Sequence, residues 1–212
     1  EKLNYQSDKN LQLISLDKIR NNEENLAAEL EINNKKRNEI AKAVKKAIEN
    51  EIKALEKLKK AKFALTPEGI AISKNFNKNK GRLIWPVERG EITSKYGRHQ
   101  HHLVTTAFVD NNGVDITTSK NANVRAVFEG KVTSVLIIPG AGRVVMVSHG
   151  EYRTVYANLQ EVYVKKGDYV KPKDKLGKLL AKESGISESH FEIWRILASS
   201  MSTVNPSFWL SK

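Results

Sequence analysis

The chain has 212 residues, a formal net charge of +12, 28% charged and 40% apolar residues, and no cysteine. That length holds one ordinary domain plus an appendage. The missing thiols exclude a disulfide frame and thiolate metal sites. No run approaches the roughly 20 apolar residues of a membrane span, and no signal-peptide pattern is visible. The chain opens at Glu1 within a polar segment, so a targeting segment is expected upstream of it. The excess positive charge is spread over both halves and suits contact with anionic surfaces, cell-wall polymers or acidic partners, or simple solubility. It also fits nucleic acid, but no recognition motif accompanies it.

Residues from about Asn10 to Lys62 contain neither Gly nor Pro. Apolar residues recur at Leu16, Ile19, Leu26, Leu30, Ile40, Val44, Ile48, Ile52, Leu55 and Leu58, mostly three, four or seven apart. This predicts a helix with one narrow apolar stripe, interrupted where Glu23 and Arg37 fall at seam positions. A helix of about 50 residues spans roughly 75 Å. That length favours a coiled-coil arm over residues 1–64; the other reading is an amphipathic helix lying on its own domain.

Thr66-Pro67-Glu68 combines a capping residue, Pro at the first helical position and an acid in the first turn, and predicts a helix start. Ile70, Ile72 and Phe76 would form its apolar face, and Asn77 to Gly81 a linker, so that 65–81 is a short helical connector. From residue 82 to 212 short Val/Ile/Thr/Tyr-rich runs alternate with Gly and Pro turns. Val124–Phe128, Lys131–Ile138, Arg143–Ser148 and Arg153–Ala157 read as strands of a mostly antiparallel β domain. Val144-Val145-Met146-Val147 is apolar without alternation, as a strand covered on both faces would be. Gly140-Ala141-Gly142 lacks the third glycine and following helix of a nucleotide loop, and reads as a hairpin turn. The fold class is therefore α+β.

The C-terminal part also carries, in order, Ser94-Lys95-Tyr96-Gly97, Asn111-Asn112-Gly113-Val114-Asp115, Thr154-Val155-Tyr156-Ala157-Asn158-Leu159, Val164-Lys165-Lys166-Gly167-Asp168 and His190-Phe191-Glu192-Ile193-Trp194. From Gly81 to Lys212 this succession resembles the LytM/lysostaphin-type zinc peptidases, which cleave peptide cross-links in peptidoglycan. The resemblance implies a β domain of barrel-sandwich-hybrid type. In that family a His-x-Gly-x-Asp element and a His-x-His element supply the zinc ligands, and two further histidines serve the water and the transition state. In this chain the first zinc histidine falls on Asn111, the Asp is kept as Asp115, the Tyr-Ala-His histidine is Asn158, the first His of His-x-His is Glu188, and the second is His190.

A catalytic zinc needs three protein donors and an open position. An amide nitrogen has no lone pair for a metal, and Asn158 cannot act as a general acid or base near neutral pH. The expectation is a non-catalytic domain without a cofactor, keeping a half-site of Asp115 and His190. A replacement ligand from His99, His101 and His102, or carboxylate ligation by Glu188, is the alternative. His149, just before Gly150, reads as a turn residue.

Within the family the sequence is similar to the EnvC-type murein hydrolase activators. The segments carrying this are Leu65-Thr66-Pro67-Glu68 to Asn75-Phe76, Lys80-Gly81-Arg82-Leu83 and Gly150-Glu151-Tyr152-Arg153-Thr154-Val155-Tyr156. The resemblance implies a periplasmic protein whose coiled coil engages an FtsEX-like membrane complex. It also implies a degenerate groove that binds a peptidoglycan amidase and is covered at rest by a short helix, here 67–75. Asn111, Asp115, Tyr156, Asn158, Glu188, His190 and Trp194 would line this groove by helix-in-groove recognition, with Tyr156 and Trp194 either interface aromatics or core residues. An active zinc endopeptidase with atypical ligands and a peptidoglycan-binding scaffold are the competing readings.

Overall fold

A computed structural model describes residues 2–59, 66–100, 107–182, 184–197 and 200–212, with the side chains of the first helix described from residue 24 apart from 55 and 57–59. The elements are α1 (Lys2–Lys59), α2 (Pro67–Lys78), β1 (Glu91–Ser94), β2 (Gly97–Gln100), β3 (Phe108–Asn111), β4 (Val114–Ser119), β5 (Asn123–Arg125), β6 (Gly130–Ile138), β7 (Gly142–His149), β8 (Tyr152–Val162), β9 (Tyr169–Val170), β10 (Lys175–Leu179), β11 (Ile186–Leu197), β12 (Ser200–Val204) and a 3₁₀ turn, Pro206–Phe208. No helix among the described residues is long and apolar enough to cross a membrane.

The main sheet runs β1-β4-β11-β8-β7-β6-β9, with β12 on β11 and with β10 bridging β5 and β8. Its pairings are antiparallel. β2 and β3 form a separate two-stranded ribbon. Pleating sends alternate side chains to opposite faces, and here both faces are covered. Val145, Val147, Tyr152, Tyr156, Phe191 and Ile193 point into one apolar core. Val144, Met146, Val155, Ala157, Trp194 and Ile196 point into a second. The four residues Val144 to Val147 are fully buried, as the unalternated run predicts. The β6–β7 hairpin turns through Gly140 and Gly142, both left-handed at φ 76° and 74°.

The second core is completed by α1. Ile40, Val44 and Ile48 are 2%, 0% and 0% exposed and pack on Ile138, Val144, Met146 and Trp194. Upstream, Leu30 packs on Val109 of the ribbon. The stripe read as a coiled-coil seam is thus, from Leu30 to Ile48, a face laid on the chain's own β domain. The apolar sheet face offers a wide surface, and a three-four-spaced stripe satisfies it without a second helix. A long coiled coil is not established.

α2 starts where the sequence places it. The Thr66 hydroxyl accepts from Gly69 N at 3.1 Å and Pro67 opens the helix. Phe76 is fully buried, stacked on His149 and Tyr152 at centroid distances of 4.7 and 4.9 Å and tilted against Trp209. The approach is close: a Cβ at Gly150 would lie 2.2 Å from Gly69 O. Ile70, by contrast, is 53% exposed.

Candidate functional site

β4 and β11 pair with Asp115 opposite His190, and β8 places Ala157 on the other side of His190. All three belong to the face that α1 covers. Gly113 permits this arrangement, since a Cβ there would lie 2.1 Å from Phe191 O. The Gly113 N–H donates to Asn111 Oδ1 at 2.9 Å, and the Asn111 amide donates to Ser94 Oγ at 3.1 Å and to Asp115 Oδ2 at 3.3 Å. Asn111 therefore serves as a brace for the loop, its oxygen engaged by backbone.

A chain of charges crosses the site. Arg37 of α1 donates from Nη2 to Asp115 Oδ2 at 2.5 Å and from Nε at 3.2 Å. His190 meets Asp115 Oδ1 at 2.6 Å through Nδ1 and Glu192 Oε1 at 3.0 Å through Nε2. Trp194 Nε1 donates to the other Glu192 oxygen at 2.7 Å. Burial opposes charge on His190, yet the carboxylates of Asp115 and Glu192 on its two nitrogens outweigh it, and its pKa is pushed up to about 10. Burial likewise works against the Asp115 carboxylate, but His190 and Arg37 hold its pKa down to about 2. The result is two cations and two carboxylates in alternation, each buried charge facing an opposite one.

The sequence-predicted residues divide into groups. Asn111, Asp115 and His190 lie together, joined by hydrogen bonds through Asp115. Asn158 and Glu188 sit beside them: the Asn158 amide donates to Glu188 O at 3.2 Å, and the Glu188 carboxylate turns outward to Lys182 Nζ at 3.0 Å. Asn158 adopts a left-handed φ of 63°, where the β7–β8 register shifts. Trp194 lies on the site face but is 6% exposed beneath α1. Tyr156 is a correction: it points into the opposite core. Its hydroxyl receives Val127 N–H at 3.0 Å, and burial pushes its pKa up to about 12. His99 approaches Gly97 O at 3.1 Å through Nδ1; His101 and His102 lie outside the described residues.

The cover is a second correction. α2, with Ile70, Ile72 and Phe76, docks on the β7–β8 hairpin through Phe76, and the helix reaching Asp115 is α1. Residues 67–75 are anchored by an aromatic core rather than laid in the groove. Arg37, Glu192 and Ser94 were absent from the predicted site. A further clamp on α1 was also absent: Glu51 receives Arg153 Nη2 at 2.7 Å and Nε at 3.3 Å, while Arg153 Nη1 donates to Gly150 O and Tyr152 O. The usable signal was Arg37 itself, a cation at a seam position of an apolar stripe.

The donor set does not fit a catalytic zinc. Asp115 and His190 are the ligand-type groups at the positions the fold would use. Asn111 spends its oxygen on Gly113, and both His190 nitrogens face carboxylates. Among the described residues no group of three or more His, Cys, Asp or Glu is placed to hold a metal.

The site is thus an Asp–His pair with amide and carboxylate neighbours on one face of a mostly antiparallel sheet. Residues 109–206 match the model of Peptidase family M23. An uncharacterized metalloprotease of Haemophilus influenzae is 35% identical over 119 residues, 53% of this chain and 25% of that protein. The peptidoglycan DD-endopeptidase ShyB of Vibrio cholerae is 33% identical over 111 residues, 51% of this chain and 25% of that protein. The chain thus spans about a quarter of the length of these curated relatives. Helicobacter pylori Csd3 in its orthorhombic crystal shares the fold at a TM-score of 0.50 and 24% identity, over 61% of this chain and 35% of that one.

Proposed function

We propose that this chain is a non-catalytic M23-type module that activates a peptidoglycan amidase in septal cell-wall splitting. Its degenerate groove holds α1 at rest and a helix of the amidase when active. The observation carrying this reading is Arg37: a helix already lies across the site face with its guanidinium on Asp115, where an active enzyme would hold metal. Such a surface recognises helices by an apolar track and an ionic anchor. The similarity to a peptidoglycan endopeptidase supports a cell-wall setting, and hence the periplasm. The N-terminal part of α1, before the stretch seated on the sheet, is the candidate segment for an FtsEX-like membrane complex.

Exchange of α1 for an amidase helix is a population shift. Moving an equilibrium from 1:99 to 99:1 takes about 5.5 kcal/mol of differential binding, so a strongly docked α1 demands a strong partner or a second input on the arm. The test is an amidase assay on dye-labelled peptidoglycan with the full chain and with Arg37→Ala. Stimulation should be greater for Arg37→Ala at limiting protein. Absence of stimulation by either form would sink the proposal, and release of cross-link peptides by the chain alone would favour the endopeptidase reading.

A further inference from the structure

β6 is bound along one edge only for most of its length. Its pairing with β7 runs from Lys131 to Ile138, but β9 covers the other edge only at Gly130 and Lys131. Val132 is closed by the turn after it in space, its N–H donating to Asp168 O and its carbonyl accepting from Gly167 N. From Thr133 to Ile137 the outer edge has no strand partner among the described residues. Exposed edges are normally blunted by charge, proline or a bulge. This one has a bulge at Thr133, where the β6–β7 register shifts, but no charged residue between Val132 and Gly142, and Pro139 comes only after the strand, so Ser134 to Ile137 carry no such device. Ile137 is 76% exposed, and Tyr169 next to the edge is 78% exposed.

The edge borders an open cavity of about 1270 Å³ between β6, α1 and the start of α2. Ala43 and Ala47 of α1, Ile72 of α2 and Leu136 give it apolar walls. The Thr133 hydroxyl, buried and on its lining, has no hydrogen-bond partner. Lys46, Lys131 and Lys166 stand at its rim, exposed and in no ion pair among the described residues; Lys131 lies over the Tyr169 ring at 5.4 Å. Of the two acids on its lining, Glu51 is occupied by Arg153, and Glu68 of α2 is engaged as well.

We infer that the Thr133–Ile137 edge is a strand-addition site for an extended, acidic and apolar segment of a partner protein. Backbone groups of the edge supply the ladder, the cavity receives alternate apolar side chains, and the three lysines select carboxylates. The charge pattern argues against a second copy, because pairing two such edges would bring both lysine sets together on chains of +12. The site is separate from the Asp115–His190 groove and does not depend on its reading.

The experiment uses the full chain and a labelled peptide of about six residues, a usual strand length, alternating valine and glutamate. Fluorescence anisotropy should show saturable binding, and hydrogen exchange should slow at amides within 133–137. Ile137→Ser, at an exposed position, should leave the melting temperature nearly unchanged and weaken binding about tenfold, as loss of a buried apolar side chain does. The inference is overturned by no binding, by equal binding of a valine–lysine peptide, or by unchanged exchange at 133–137. A dimer of the chain that Ile137→Ser dissociates would also overturn it, assigning the edge to self-association.

Discussion

His149 and His190 are both buried, on opposite faces of one sheet, and their environments drive them to opposite charge states. His149 lies against Phe76 and Phe128. Burial pushes its pKa down to about 3, against the one raising contact, with Glu129 O. His190 is as deeply buried but has a carboxylate on each nitrogen and keeps its proton to about 10. One face is an apolar core that carries the fold. The other carries paired charges and is closed by a helix from outside the M23 match. The difference teaches that burial alone does not set the role of a histidine; the partners on its nitrogens do.

The comparison breaks most visibly at Phe76. Phe76→Ala should cost about 4 kcal/mol and lower the stability of the whole β domain in denaturant unfolding. A loss confined to α2 would show that the aromatic cluster is peripheral. Next comes Asp115→Ala, which strips Arg37 and His190 of their shared carboxylate. Breaking one partner out of a buried ionic group costs about 3 kcal/mol, and the His190 imidazole should titrate well below its present value by NMR. Ile48→Ala, at about 2 kcal/mol, should speed hydrogen exchange in α1 while leaving β7 and β8 protected. Equal acceleration in both would mean that helix and sheet open as one unit.

The same comparison predicts a pH dependence whose sign differs between the faces. Folded His190 holds its proton up to about 10 against an ordinary value of 6.5. Its stabilisation is whole below pH 6.5 and is lost as pH rises from there through 10. Folded His149 stays neutral down to about 3, so the unfolded chain binds the extra proton between 6.5 and 3, and stability falls as pH falls through that window. Asp115, held at about 2 against 3.8, adds its own loss as pH falls from 3.8 through 2. Thermal melts across pH should show both arms, with Asp115→Ala flattening the alkaline one.

Much of this was legible in the sequence. The Gly-punctuated β-branched runs announce β6, β7 and β8. The capping pattern of Thr66-Pro67-Glu68 fixes the start of α2, and the motif order brings Asn111, Asp115 and His190 together. What the sequence withholds is which partner an amphipathic surface takes. The α1 stripe fits a coiled-coil seam and a sheet face equally well, because both ask for the same three-four spacing. Tyr156 and Phe76 are as apolar as groove residues, and only the strand parity of β8 and the Gly150 contact place them in the core. Arg37 was the informative exception. An arginine within an apolar seam needs an acid, and Asp115, 78 residues on, is not visible as that acid until the fold brings them together.

The central claim is that the Asp115–His190 pair is a seat for a helix and not a zinc centre. Calorimetric titration of the full chain with zinc tests it directly. The account predicts no stoichiometric binding at this pair, with Arg37 and Glu192 occupying the groups a metal would need. Stoichiometric zinc that disappears in His190→Ala, together with peptidoglycan cleavage that disappears with it, would contradict the account.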